Sequence, residues 1–66
     1  MNSEELGLII KNYRKSLGLT QAEVALSCGL GMRFISDLEN GKPTCQIEKS
    51  LLVIQTLGLK ISIGGK

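Results

Sequence analysis

The stretch from Gly18 to Gly41, Gly-Leu-Thr-Gln-Ala-Glu-Val-Ala-Leu-Ser-Cys-Gly-Leu-Gly-Met-Arg-Phe-Ile-Ser-Asp-Leu-Glu-Asn-Gly, constrains this chain more than any other part of it. It spells two short helices joined by a tight glycine turn. Thr20 and Glu23 have the spacing of a capping box, in which the threonine hydroxyl accepts from the glutamate amide and the carboxylate accepts from the threonine amide. The helix opened by that box buries Val24, Ala25 and Cys28, and Gly29 permits the left-handed backbone that ends it. Leu30 anchors the turn. The next helix buries Phe34, Ile35 and Leu38 on one stripe, which leaves Met32, Arg33, Ser36 and Asp37 on outward or flanking positions.

Around this pair the periodicity predicts two more helices. The first runs from about 4 to 17, capped by Asn2 or Ser3, with Leu6, Ile9, Ile10, Tyr13 and Leu17 at spacings of three and four and Gly18 as its stop. The inner pair covers about 21–28 and 31–39. Asn40-Gly41-Lys42-Pro43 is a loop of turn formers whose proline disfavours helix at Lys42. Thr44 then caps a helix of about 45–57 that buries Ile47, Leu51, Ile54 and Leu57 and stops at Gly58.

Leu59-Lys60-Ile61-Ser62-Ile63 breaks the helical rhythm, because apolar and polar residues alternate as in a strand with one buried face. A lone strand leaves its backbone donors and acceptors unpaired, so its partner must be another chain, most simply a second copy. A two-fold antiparallel ribbon of these five residues would stack Leu59, Ile61 and Ile63 of both copies over the helical cores. The competing reading is a tail that frays as termini do. The dimer answers a need, since a chain of 66 residues buries a small fraction of its surface and is marginal without help.

Other sources of help are poor. The chain has two cysteines and no histidine, which gives no metal-ligand spacing, and no cofactor is implied. Cys28 reads as a small apolar core residue. Cys45, at a helix start, is open to two readings: a thiol whose pKa the helix dipole lowers, or a tolerated small residue. An enzyme is disfavoured, since there is no Gly-rich phosphate loop, no nucleophile and base at motif spacing, and too small a core for a substrate pocket. No apolar run approaches the roughly 20 residues that span a bilayer, and no signal peptide is visible. The expectation is a soluble, cytoplasmic protein with neither a membrane partner nor a small-molecule substrate.

A helix pair of this length commonly pushes its second helix into a DNA major groove, where the first few residues meet base edges. The net charge of +2 permits nucleic-acid binding without requiring it, so placement decides. Met32, Arg33, Ser36 and Asp37 are the candidate base readers. Arg33 can donate two parallel hydrogen bonds to guanine or can serve as a phosphate contact, and the sequence leaves both open. Met32 can pack against a thymine methyl, Ser36 can bond to any base edge, and Asp37 can accept from cytosine N4. Thr20 and Gln21 at one helix start, Gly31 at the next, and Asn40, Lys42 and Thr44 beyond it are the candidate phosphate contacts. Lys11, Lys15 and Lys49 read as solvated residues.

Gln21, the run Leu38-Glu39-Asn40-Gly41, the following Lys-Pro-Thr turn and Arg14 fall in one register. Together they resemble the Xre-type (Cro and phage-repressor-like) helix-turn-helix regulators over roughly Leu6 to Leu57. The resemblance implies an all-α, four-helix lambda-repressor-like DNA-binding domain that docks as a homodimer on an inverted-repeat operator. It also implies a phosphate contact for Gln21 and a structural ion pair between Arg14 and Glu39. The Phe-Ile-Ser-Asp-Leu-Glu-Asn-Gly-Lys-Pro-Thr run and the ending Gln-Thr-Leu-Gly-Leu-Lys-Ile look like the small HipB-like antitoxins, whose domain finishes in a short strand. That narrower likeness implies an autoregulating antitoxin with a HipA-type serine/threonine kinase toxin as partner. A stand-alone phage or chromosomal repressor is the alternative.

Overall fold

The computed structural model describes residues 2–43 and 46–58, which form helices α1 (Ser3–Ser16), α2 (Gln21–Cys28), α3 (Met32–Glu39) and α4 (Ile47–Leu57). Local chemistry sets most of the ends. Asn2 caps α1 through a capping box: its Oδ1 accepts from the Glu5 amide at 2.8 Å, and Glu5 Oε1 accepts from the Asn2 amide at 3.0 Å. Thr20 and Glu23 repeat the device on α2, at 3.1 and 2.8 Å. Gly29 ends α2 in the left-handed region at φ 71°, and Gly58 ends α4 there at φ 75°. A side chain disfavours that backbone, whereas glycine adopts it freely.

The α2–α3 pair packs against both remaining helices, α1 on α3 and α4 on α2, with a further contact between α1 and α4. Between them lies one core of Ile10, Val24, Ala25, Ile35, Leu38, Val53, Ile54 and Leu57, edged by Leu6, Tyr13, Leu19, Cys28, Leu30 and Phe34. The faces of α2 and α3 match the sequence reading, with Phe34 and Cys28 at the rim. On α1 the innermost stripe is Gly7, Ile10 and Arg14, while Ile9 and Leu17 face outward. A Cβ on Gly7 would overlap the Leu38 carbonyl oxygen and lie 2.7 Å from that of Glu39. The glycine therefore lets α1 lie directly on the end of α3.

Helix α4 departs from expectation at its start and in its buried face. It begins at Ile47 rather than near 45, with Gln46 as its N-cap at ψ 65° and no side-chain capping bond; Glu48 supplies the acid that a helix N-terminus favours. The expected cap, Thr44, and Cys45 lie outside the described residues. The buried positions are Ser50, Val53, Ile54 and Leu57, and Ile47 and Leu51 stand 66% and 41% exposed. Small Ser50 faces inward and donates from its hydroxyl to the Gln46 carbonyl at 3.3 Å. The proposed strand, Leu59 to Ile63, also lies outside the described residues. Among those described, no helix is long and apolar enough to cross a membrane.

Candidate nucleic-acid interface

Helix α3 carries the expected base readers and is held rigidly from behind. Ile35, Leu38 and Glu39 are buried, so the helix cannot roll without breaking core contacts. Met32 and Arg33 are exposed on its first turn, and Ser36 and Asp37 are half-buried one turn further on. The Arg33 side chain makes no hydrogen bond or ion pair within the described residues. Gly31 is the N-cap, with an extended backbone and no side-chain capping bond. Its φ of −74° suits any residue, and no described atom lies within 4 Å of where its Cβ would sit. Nothing in the described chain explains why it is glycine.

Arg14 and Glu39 meet across α1 and α3. Arg14 Nε donates to Glu39 Oε2 at 2.6 Å and a terminal guanidinium nitrogen donates to Oε1 at 2.9 Å. The other terminal nitrogen donates to the Leu19 carbonyl at 2.8 Å, tying in the α1–α2 connection. The Glu39 side chain is 1% exposed. Burial pushes its pKa up, but the hydrogen bonds from Arg14 and Gln21 and the positive charges of Arg14 and Lys11 outweigh this and hold it below the usual carboxylate range. The hydrogen bond to Glu39 raises the pKa of Arg14 against the opposing effect of burial.

The third donor to Glu39 was invisible to the sequence reading. Gln21 Nε2 donates to Oε1 at 3.0 Å, so the residue expected to point at phosphate is partly turned towards the buried pair. Its amide nitrogen keeps one further hydrogen, and the Glu39 bond fixes the orientation of the group that carries it. The Thr20 hydroxyl accepts from Glu23 and still has its own hydrogen to donate.

Beyond α3, the chain folds back on the helix end. Asn40, exposed, donates its amide to the Ser36 carbonyl at 3.0 Å, and Lys42 donates its amide to the Asp37 carbonyl at 3.0 Å. Lys42 Nζ lies 3.6 Å from Asp37 Oδ1. An expected phosphate contact is thereby brought onto an expected base reader. Gly41 makes the reversal at φ 77°, and a Cβ there would come within 2.8 Å of Glu4 Cα. Lys49, read as simply solvated, sits 5.9 Å from the Phe34 ring centroid, within cation–π range. Thr44 is outside the described residues.

The chain matches the family described as Helix-turn-helix over residues 10–63. It is 51% identical over 59 residues to the uncharacterized HTH-type transcriptional regulator y4mF of Sinorhizobium fredii, an alignment covering 89% of this chain and 78% of that protein. It is 30% identical over 63 residues to the ImmF control region 10 kDa protein of Bacillus phage phi105, covering 92% of this chain and 70% of the phage protein. By the profile match and by both relatives, this chain belongs to the Xre-type helix-turn-helix family.

Proposed function

We propose that this chain is a sequence-specific DNA-binding transcriptional repressor that lays α3 in the major groove. The observation that carries the reading is Arg33, exposed, with no side-chain partner among the described residues, on the first turn of a helix whose other face is locked into the core. A guanidinium so placed can donate two parallel hydrogen bonds to guanine O6 and N7. Met32 packs against a thymine methyl and Ser36 bonds to a base edge. Thr20, Gln21, Asn40 and Thr44 fix the docking register on phosphates. Gly31 fits beside them, since a glycine with no internal reason suits close approach of another molecule's backbone.

The repressor acts as a homodimer joined through Leu59 to Ile63. The exposed aliphatic face of α4 supports this. Five extended residues span about 16 Å, which equals the run of about 16 Å along a helix axis from Gly58 back to Ile47. The pairing strands are thus long enough to cover Ile47 and Leu51. A two-fold dimer presents two α3 helices to successive major grooves about 34 Å apart, and so reads an inverted repeat.

The phage relative's name, a control region protein, favours a stand-alone regulator. A HipB-like antitoxin with a HipA-type kinase partner is the alternative, selected if a kinase reading frame adjoins this gene. Footprinting on the chain's own promoter at several salt concentrations tests the function. The expected result is protection of two half-sites one helical turn apart that weakens moderately as salt rises, because few cations contact phosphate. No protection at low salt would sink the reading.

A further inference from the structure

We propose that Asp37 sets the specificity of this interface by withholding Lys42 from phosphate, rather than by reading a base. The inference rests on the DNA-binding reading above and assigns Asp37 a role within it. Lys42 is tethered to Asp37 twice, by its amide on the Asp37 carbonyl at 3.0 Å and by its ammonium 3.6 Å from Oδ1. The Asp37 side chain is the less exposed partner, at 38% against 64% for Lys42, so the carboxylate is the fixed post and the lysine the mobile arm. A base-reading carboxylate accepts from cytosine N4, and here one of its oxygens already faces an ammonium.

Lysine contacts to phosphate are independent of sequence, whereas Arg33 can discriminate between bases. A carboxylate that competes for Lys42 therefore penalises complexes that depend on backbone charge alone. When Arg33 engages its base, it fixes α3 in a register where Lys42 stays on Asp37. Specificity is the difference between the two affinities, and Asp37 widens it by weakening the unwanted one.

The test compares wild type with Asp37→Asn on random-sequence duplex and on duplex selected from a random pool by the wild-type protein. Asp37 is partly exposed, so the variant is expected to melt as the wild type does, and a melt checks this. Random-duplex affinity should rise about 1.4- to fivefold for each copy bound, the range expected when one exposed ion pair is released. The dependence of log affinity on log salt should steepen by about 0.9 for each lysine freed. Selected duplex should gain less, so the affinity ratio falls, and adding Lys42→Met to Asp37→Asn should remove the gain. A loss confined to selected duplex and traceable to one base pair would make Asp37 a base reader and overturn the proposal. So would unchanged random-duplex affinity, or equal gains on both duplexes. Failure of the wild type to bind any duplex at low salt would take down the DNA-binding reading and this inference with it, an outcome distinct from the others.

Discussion

At the scale of single residues, Arg14 commits all three guanidinium nitrogens to the fold, holding both Glu39 oxygens and the Leu19 carbonyl. Removing one partner strands a buried charge, so Arg14→Ala or Glu39→Ala is expected to cost about 3–5 kcal/mol. The pH dependence has a definite sign. Glu39 ionises more readily folded than unfolded, so its contribution is fully present above the unfolded carboxylate pKa of about 4.3 and is lost as pH falls through the lower folded value. The melting temperature of the wild type should hold above about pH 5 and fall on acidification. Glu39→Gln should start lower and lose less over the same range; a parallel fall in both would remove Glu39 from the acid response. The pairing of Arg14 with Glu39 was reachable only through family resemblance, because residues 25 apart in sequence carry no local sign of contact. The Gln21 bond to the same carboxylate was not reachable at all, since an exposed-looking glutamine at a helix start gives no hint that its amide turns inward.

At the scale of elements, what was legible was what is decided locally. The capping box at Thr20, the α1 cap that the sequence left between Asn2 and Ser3, and the left-handed glycines at 29 and 58 each depend on residues within one turn. The buried face of α4 was legible in its second half, where Ile54 and Leu57 are buried as expected, and not in its first. Ile-Glu-Lys-Ser-Leu-Leu-Val-Ile-Gln-Thr-Leu carries apolar residues on more than one stripe, and only the position of α2 selects Ser50, Val53, Ile54 and Leu57 over Ile47 and Leu51. Gly7 was likewise unread, because a lone glycine inside a helix marks close packing only once the neighbour is known. Its role predicts an inverted propensity effect. Alanine should favour an isolated helix over glycine by about 1 kcal/mol. Here the added methyl meets the α3 carbonyls, and overpacking of this kind costs about 1–3 kcal/mol. Gly7→Ala should lower the melting temperature; a rise would mean that α1 can slide away from α3 at little cost.

At the scale of the whole molecule, three helices serve to hold the fourth. The core and the Arg14–Glu39 pair clamp α3 from behind, and the glycine turns set its two ends, so Arg33 is carried on a rigid element rather than on a loop. A guanidinium that stood on a mobile segment would favour phosphate, whereas one on a clamped helix can reach the same base edge in every complex. The role proposed for Arg33 is to read sequence from the first turn of α3. The most direct measurement is the affinity of Arg33→Ala for duplexes selected by the wild-type protein and for their single-base-pair variants. The expected result is a loss of about 1–3 kcal/mol on the selected duplex and relaxed preference at one base pair per half-site. An equal loss on selected and random duplex, with every base preference intact, would place Arg33 on the phosphates and contradict it.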